Sequence, residues 1–380
     1  MGTEHVQIGD GRIHVIDHLR GFALSAILLM HAVENFSLYH IPEDGPAWLI
    51  ALDQRAMHLA FLLFFGKAHA VFALLFGVSY HIQEQSNLRR NIPHRKRMIH
   101  RMAWLFIFGG LHGLFYPGDI LCLLAIFGAI LVFFAGLSSR LLFILAIIMA
   151  LQPLLLWKAI PADPSPLIAS QSARIDSMIA SLSNDDFFLV LKKNIWEHRI
   201  TEWMASFTSG RMFQIGAWTF MGLIAARLGY FTDLRRYVVV NMIMLCSASI
   251  GYVLMALTSP GTGPWLVPIT RWKEMLLVVI YITAAMLIAA YWQRLRQPSL
   301  LSAYGRMSLT NYTSQGIIGA VLFYGFGAAF YRYGASFSLM IGVFILIAQL
   351  VFTYYWSKQS LRGPLEGLWA RCVNMSATPR

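Results

Sequence analysis

Apolar residues in this chain gather into runs of about 20, long enough to cross the ~30 Å hydrocarbon layer of a bilayer as helices, and short polar clusters separate them. Ten such runs fall at residues 20–38, 66–85, 101–117, 119–137, 141–158, 210–229, 236–257, 273–292, 308–328 and 336–356. The pattern predicts an all-α, polytopic transmembrane helix bundle of about ten spans, organised as one integral-membrane domain over residues 1–380. Two polar stretches interrupt it, 37–65 and 159–209. The first has a Pro/Gly turn and then an amphipathic segment suited to lie along a membrane surface. The second is rich in Ser, Asp and Lys and carries a helical stretch from Asp185 to Met204, in which Trp196 and Trp203 suit the membrane interface.

Charge orients this pattern, because loops rich in Lys and Arg stay cytoplasmic. The densest cluster, Arg89, Arg90, Arg95, Lys96, Arg97 and Arg101, falls on the same side of the ten-run pattern as Arg140, Arg227, Arg235, Arg294, Arg306 and Arg362. Both termini are therefore expected in the cytoplasm, with 37–65 and 159–209 on the opposite face.

Composition agrees: 57% of the 380 residues are hydrophobic and 13% charged, too apolar for a surface that must be wetted. The net charge of +12 sits in short clusters between apolar runs, which argues for orienting loops and a bilayer partner and against nucleic acid. Cys122, Cys246 and Cys372 have no disulfide or metal-knuckle spacing. The first run lacks a small-residue cleavage site and reads as a retained helix.

Several polar groups lie at membrane depth, where hydrocarbon penalises them unless they face a wet cavity or one another. On the first helix Asp17 and Arg20, three apart, share a face and pair, either as an anchor or as a phosphate-binding guanidinium. His31, Glu34 and Asn35 follow on the next two turns, His31 as a general base and Glu34 as its orienter. Lys67 and His69 enter the second run at its outer edge, Lys67 by snorkelling, and Gly77 permits close helix packing. The corner GGLHGLFYPGDIL places His112 about two turns before Asp119, whose carboxylate can cap the next helix and pair with the imidazole. The run SLTNYTSQ puts Asn311 and Gln315 beside Arg306, as glue between helices or as the lining of a donor cleft. RGPLEGLWARC, with Glu366 and Trp369, reads as a short amphipathic helix closing the cytoplasmic face. No P-loop, GxGxxG, GxSxG, HExxH or zinc spacing occurs in a usable context, so no metal is expected.

The blocks RIHVIDHLRGFAL, FFGKAHAVFALLFGVSY, GLHGLFYPGDIL, GRMSLTNYTSQ and GPLEGLW, in this order, resemble the YeiB-like family of bacterial multi-pass membrane proteins, a family of unknown function. That family is similar to a transmembrane acyltransferase superfamily that includes heparan-α-glucosaminide N-acetyltransferase. The resemblance implies a bacterial inner-membrane location and acetyl-CoA as co-substrate. It marks Asp17, Arg20 and Gly21, then Lys67 and Phe72 to Gly77, then His112, Gly118 and Asp119. The family usually has Asn where this chain has His31, and an aromatic residue where it has Gly367. The superfamily's own catalytic His corresponds to a loop stretch that here holds His40 and His58.

The expected function is a membrane-embedded acyltransferase that moves an acyl group from cytoplasmic acyl-CoA to a hydroxyl or amine of a lipid, glycan or small molecule at the outer face. His31 or His112 would take the acceptor's proton, Asp119 or Glu34 would orient the imidazole, and Asn35 would stabilise the oxyanion. Arg20, Arg89, Arg90, Arg95, Lys96, Arg97 and Arg306, with Asn311 and Gln315, would hold the CoA. The rival reading is a proton-coupled transporter whose His and carboxylate groups form a relay. Either is compatible with a homo-oligomer.

Overall fold

The computed structural model describes residues 13–38, 45–159, 173, 176–258 and 263–377. Among them there are helices and no strand. The helices are α1 (His14–His31), α2 (Ala47–Leu63), α3 (Lys67–Arg89), α4 (His94–His112), α5 (Leu121–Phe134), α6 (Ser139–Ala150), α7 (Pro153–Ala159), α8 (Phe187–Lys193), α9 (Arg199–Thr208) and α10 (Arg211–Arg227), followed by α11 (Val238–Leu257), α12 (Leu266–Tyr291), α13 (Leu300–Arg306), α14 (Ser308–Phe323), α15 (Ala335–Ser357) and α16 (Pro364–Ala377). Nine of the ten apolar runs each overlap one of these helices, while the run 141–158 is divided between α6 and α7. Five helical stretches among the described residues are long and apolar enough to cross a membrane: His14–Glu34, Ala47–Arg89, Val238–Leu257, Leu266–Tyr291 and Ala335–Ser357.

Helix α1 lies at the centre of the main core, with Leu24, Ile27 and Leu28 sealed from solvent. Small residues let its neighbours approach to backbone contact. A methyl group on Gly305 of α13 would come within 2.0 Å of the Asp17 carbonyl oxygen. The pair α3 and α10 uses the same device in both directions: a methyl on Gly77 would lie 2.0 Å from the Thr219 carbonyl oxygen, and one on Gly222 1.9 Å from that of Leu74. Lipid offers no hydrophobic drive between helices, so close packing of this kind supplies the association. At the opposite extreme, α11 leaves Ile243, Ile250, Val253 and Leu257 exposed, as a lipid-facing helix does.

Lys67 differs from the snorkelling role expected of it. It is buried at 4% exposure, and its Nζ donates to the Phe61 and Leu62 carbonyls at 2.9 and 2.7 Å. The last turn of α2 leaves those carbonyls without helical partners, and the lysine satisfies them.

Candidate functional site

Helix α1 gives way at its end to a π-helical turn, Ala32–Phe36, a rare geometry that recurs at functional sites. His31 stands at the junction and Glu34 within the turn, both buried. Opposite them the break between α4 and α5 carries a second histidine. Asp119 Oδ2 accepts the Cys122 N–H at 2.9 Å and so caps α5, while its Oδ1 accepts from His112 Nδ1 at 2.9 Å. A carboxylate only accepts, so the Nδ1 proton is fixed and the lone pair of the neutral imidazole resides on Nε2. That Nε2 is buried without a hydrogen-bond partner among the described residues. It abuts Gly316 of α14, where a methyl group would come within 2.1 Å of it.

The two histidines are joined by tyrosines. The Tyr116 hydroxyl hydrogen-bonds His31 Nδ1 at 2.6 Å, and Tyr312 lies over His112 with ring centroids 4.9 Å apart. Tyr312 is fixed from its other end, its hydroxyl accepting the Ile120 N–H at 3.2 Å. His69 adds a third imidazole, 5.8 Å from His31 between centroids. His31 Nε2, like that of His112, is buried without a hydrogen-bond partner among the described residues.

Two cavities bear on this cluster, the smaller one reaching His69 and Asp119 and the larger one lying toward the arginine ends of α1 and α4. One, about 160 Å³, is lined by Arg20, Arg101 and Arg306 with Ser79, Glu366 and Trp369, and Phe72 also lines it. Arg20 is aimed by Asp17 at 3.1 Å and by the Ser79 hydroxyl. Arg101 lies 3.6 Å over the Trp369 ring, whose indole N–H donates to the Arg101 carbonyl at 3.1 Å. Glu366 caps α14, accepting from the backbone N–H of Leu309 and Thr310 and from the Thr310 hydroxyl at 2.7, 3.2 and 2.6 Å. Burial pushes its carboxyl above the ordinary range despite those bonds. The other cavity, about 20 Å³, is bounded by His69, Asp119, Glu202, Trp203, Ser206 and Arg211. Arg20 and His31 stand eleven residues apart on α1, and Arg101 and His112 eleven apart on α4, so ~16 Å of helix separates the arginine end from the histidines.

The sequence expectations sort accordingly. His112 and Asp119 come together as anticipated, and Arg20 and Arg306 share a cavity. The hydrogen-bond partner of His31 is Tyr116, where the sequence suggested Glu34. The Asn35 side chain and His40 lie outside the described residues, and His58 is exposed on α2. Arg89, Arg90, Arg95 and Lys96 are exposed and do not line the arginine cavity, and Arg97 donates to Asn374 at 2.7 Å. Asn311 and Gln315 serve as glue. Asn311 donates to the Tyr304 carbonyl at 3.2 Å, Gln315 donates to the Tyr304 hydroxyl at 2.9 Å, and Gln349 of α15 donates to the Asn311 carbonyl at 2.9 Å. Tyr116 and Arg211 escaped the sequence reading, and Tyr312 entered it only as part of the run SLTNYTSQ, not as a neighbour of His112. Tyr116 had one available signal, its place between His112 and Asp119 in a corner already marked as chemical.

Fold and site together define a membrane-helix bundle with a buried histidine and tyrosine cluster beside an arginine-lined cavity. Residues 225–376 match the family described as "Protein of unknown function (DUF418)". The chain is 28% identical to the uncharacterised protein YeiB of Escherichia coli (strain K12), over 96% of this chain and 97% of that protein. It is 27% identical to an uncharacterised 39.9 kDa protein in the amylase 3' region of Bacillus acidopullulyticus, over 95% and 93% of the two chains. It is 23% identical to the uncharacterised protein YxaH of Bacillus subtilis (strain 168), over 97% and 96%. The YeiB-like resemblance drawn from the motifs thus holds along nearly the whole chain. No solved structure matches it.

Proposed function

We propose that the protein is a membrane-embedded acyltransferase, with His112 as general base, Asp119 as its orienter and the arginine cavity as the anchor for the anionic end of an acyl-CoA donor. The observation that carries this reading is the His112 and Asp119 pair at 2.9 Å, with Nε2 buried and without a hydrogen-bond partner among the described residues, on the same helix α4 whose Arg101 joins two further guanidinium groups in one cavity ~16 Å along it. In the reaction His112 Nε2 takes the proton of an acceptor hydroxyl or amine, the acceptor's oxygen or nitrogen bonds the thioester carbon, and the carbon–sulfur bond breaks. The CoA thiolate then takes the proton from the imidazolium. Asp119 keeps the base in one tautomer and stabilises the imidazolium. The Tyr116 and Tyr312 hydroxyls, both beside His112, would supply donors for a developing oxyanion.

The cavity of about 160 Å³ is smaller than the ~300–1,000 Å³ of pockets that enclose a drug-sized ligand. It suits one phosphate group of CoA, with the rest of the donor outside it. Guanidinium pairs with phosphate geometry in a bidentate fashion, and Trp369 holds Arg101 ready. Calorimetry of the purified protein with acetyl-CoA, followed by transfer of labelled acetate to membrane lipid or glycan fractions, tests the reading. Saturable binding and label transfer abolished in His112→Gln are expected; absence of both would overturn it.

A specific feature favours the rival. His69, His31, Tyr116 and His112 form a continuous set of titratable rings that reaches the smaller cavity through His69, which suits a proton relay. A proton-coupled transporter predicts pH-driven flux in proteoliposomes without CoA, and the enzyme predicts none.

A further inference from the structure

Helix α2 packs against α1 and α15 and is held there at two places. Asp53, 1% exposed, accepts the Ser336 N–H at 2.8 Å at the start of α15. Lys67, at the start of α3, holds the carbonyls of the final turn of α2. Leu52, Ala56, Leu59 and Leu63 recur along α2 at the spacing of one helical stripe. With Leu29 of α1 and Met340 of α15 they line a groove of about 570 Å³, whose lining is apolar except for Arg55.

Arg55 is the anomaly. It is exposed, lies on the same stripe, and has no hydrogen-bond or ion-pair partner among the described residues. A guanidinium on a surface otherwise fit for hydrocarbon is unfavourable unless it meets a headgroup or an anion. The groove's volume lies within the ~300–1,000 Å³ of ligand sites. A ligand that satisfies both features has a hydrocarbon chain and an anionic head. We propose that this groove binds a glycerophospholipid, with one acyl chain under α2 and the phosphodiester on Arg55. The site is independent of the acyl-transfer reading, since none of its lining residues belongs to the histidine cluster or to the arginine cavity.

The test is a thermal-unfolding titration of the full-length protein in detergent with three probes. Dioleoylphosphatidylglycerol supplies chain and phosphate, dioleoylglycerol the chains alone, and inorganic phosphate the anion alone. The expected result is a saturable rise in unfolding temperature with the phospholipid, absent with either half. Arg55→Gln is expected to weaken this binding by about tenfold or more, the loss of a charge-assisted phosphate contact. Ala56→Trp, which fills the groove, is expected to abolish it. Should that variant not fold, Val343→Trp fills the same groove from a position that is 44% exposed and tolerant of bulk. Equal shifts with dioleoylglycerol and the phospholipid, or full phospholipid affinity in Arg55→Gln, would overturn the proposal.

Discussion

At the scale of single residues, Asp119 carries two separable duties. Its Oδ2 caps α5 and its Oδ1 sets the tautomer of His112. Asn at this position can still cap through its carbonyl oxygen, but the amide would donate to Nδ1 and move the imidazole proton to Nε2. Asp119→Asn is therefore expected to lower label transfer by ~10²-fold or more, the range of general-base catalysis, with the unfolding temperature nearly unchanged. Asp119→Ala is expected to lose both, with a further ~0.5–2 kcal/mol of stability from the missing cap. Gly316 supplies a second test, because a methyl there would lie 2.1 Å from His112 Nε2. Gly316→Ala should displace the imidazole, cost about 1–3 kcal/mol from overpacking, and abolish transfer; thermal unfolding and label transfer together check it.

Between helices, α16 is bound to the bundle through Glu366 and Trp369. Glu366 satisfies two N–H groups at the start of α14. Glu366→Ala leaves those donors and Thr310 without their acceptor, and a loss of ~1–3 kcal/mol is expected on chemical or thermal unfolding. The pH dependence follows from the direction of the shift. Burial raises the folded-state pKa of Glu366, so the folded protein holds this proton more tightly than the unfolded chain does. The contribution is fully present below the ordinary glutamate pKa and is lost as pH rises through the raised value. Glu366→Gln, which cannot ionise, should therefore gain stability relative to the native protein as pH rises across that interval. Parallel unfolding curves for the two proteins at every pH would contradict the assignment.

Across the whole molecule, the arrangement is polar by charge. Arg20, Arg101 and Arg306, from three separate helices, converge at one end, while His69, Glu202 and Arg211 meet at the other. Arg101→Gln is expected to weaken acetyl-CoA binding by about tenfold or more, the scale of one hydrogen bond to a charged group. It should also flatten the dependence of that affinity on salt, because one fewer charge is being screened. Isothermal titration at two ionic strengths reads both effects.

The apolar runs alone established the all-helical class and located most of the long helices, though not the break at Gln152 that divides one run into α6 and α7. Hydrocarbon admits only backbone whose hydrogen bonds close locally, so a run of apolar residues dictates a helix without reference to its neighbours. The sequence also exposed the His112 and Asp119 pair, because both belong to one short corner. Tertiary structure decided everything that joins distant segments. Tyr116 partners His31 across 85 positions, and Lys67 turned from a lipid-edge anchor into a cap because α2 happens to end beside it. Asn311 and Gln315 became glue once α15 brought Gln349 against them. Arg101 joined the cavity while Arg95 and Lys96 of the same helix stayed outside, a choice made by which face of α4 meets α16. Local hydrophobicity fixes where most of the long helices lie along the chain. Which polar groups meet depends on rotation and contact between helices, which the order of residues along one helix does not specify.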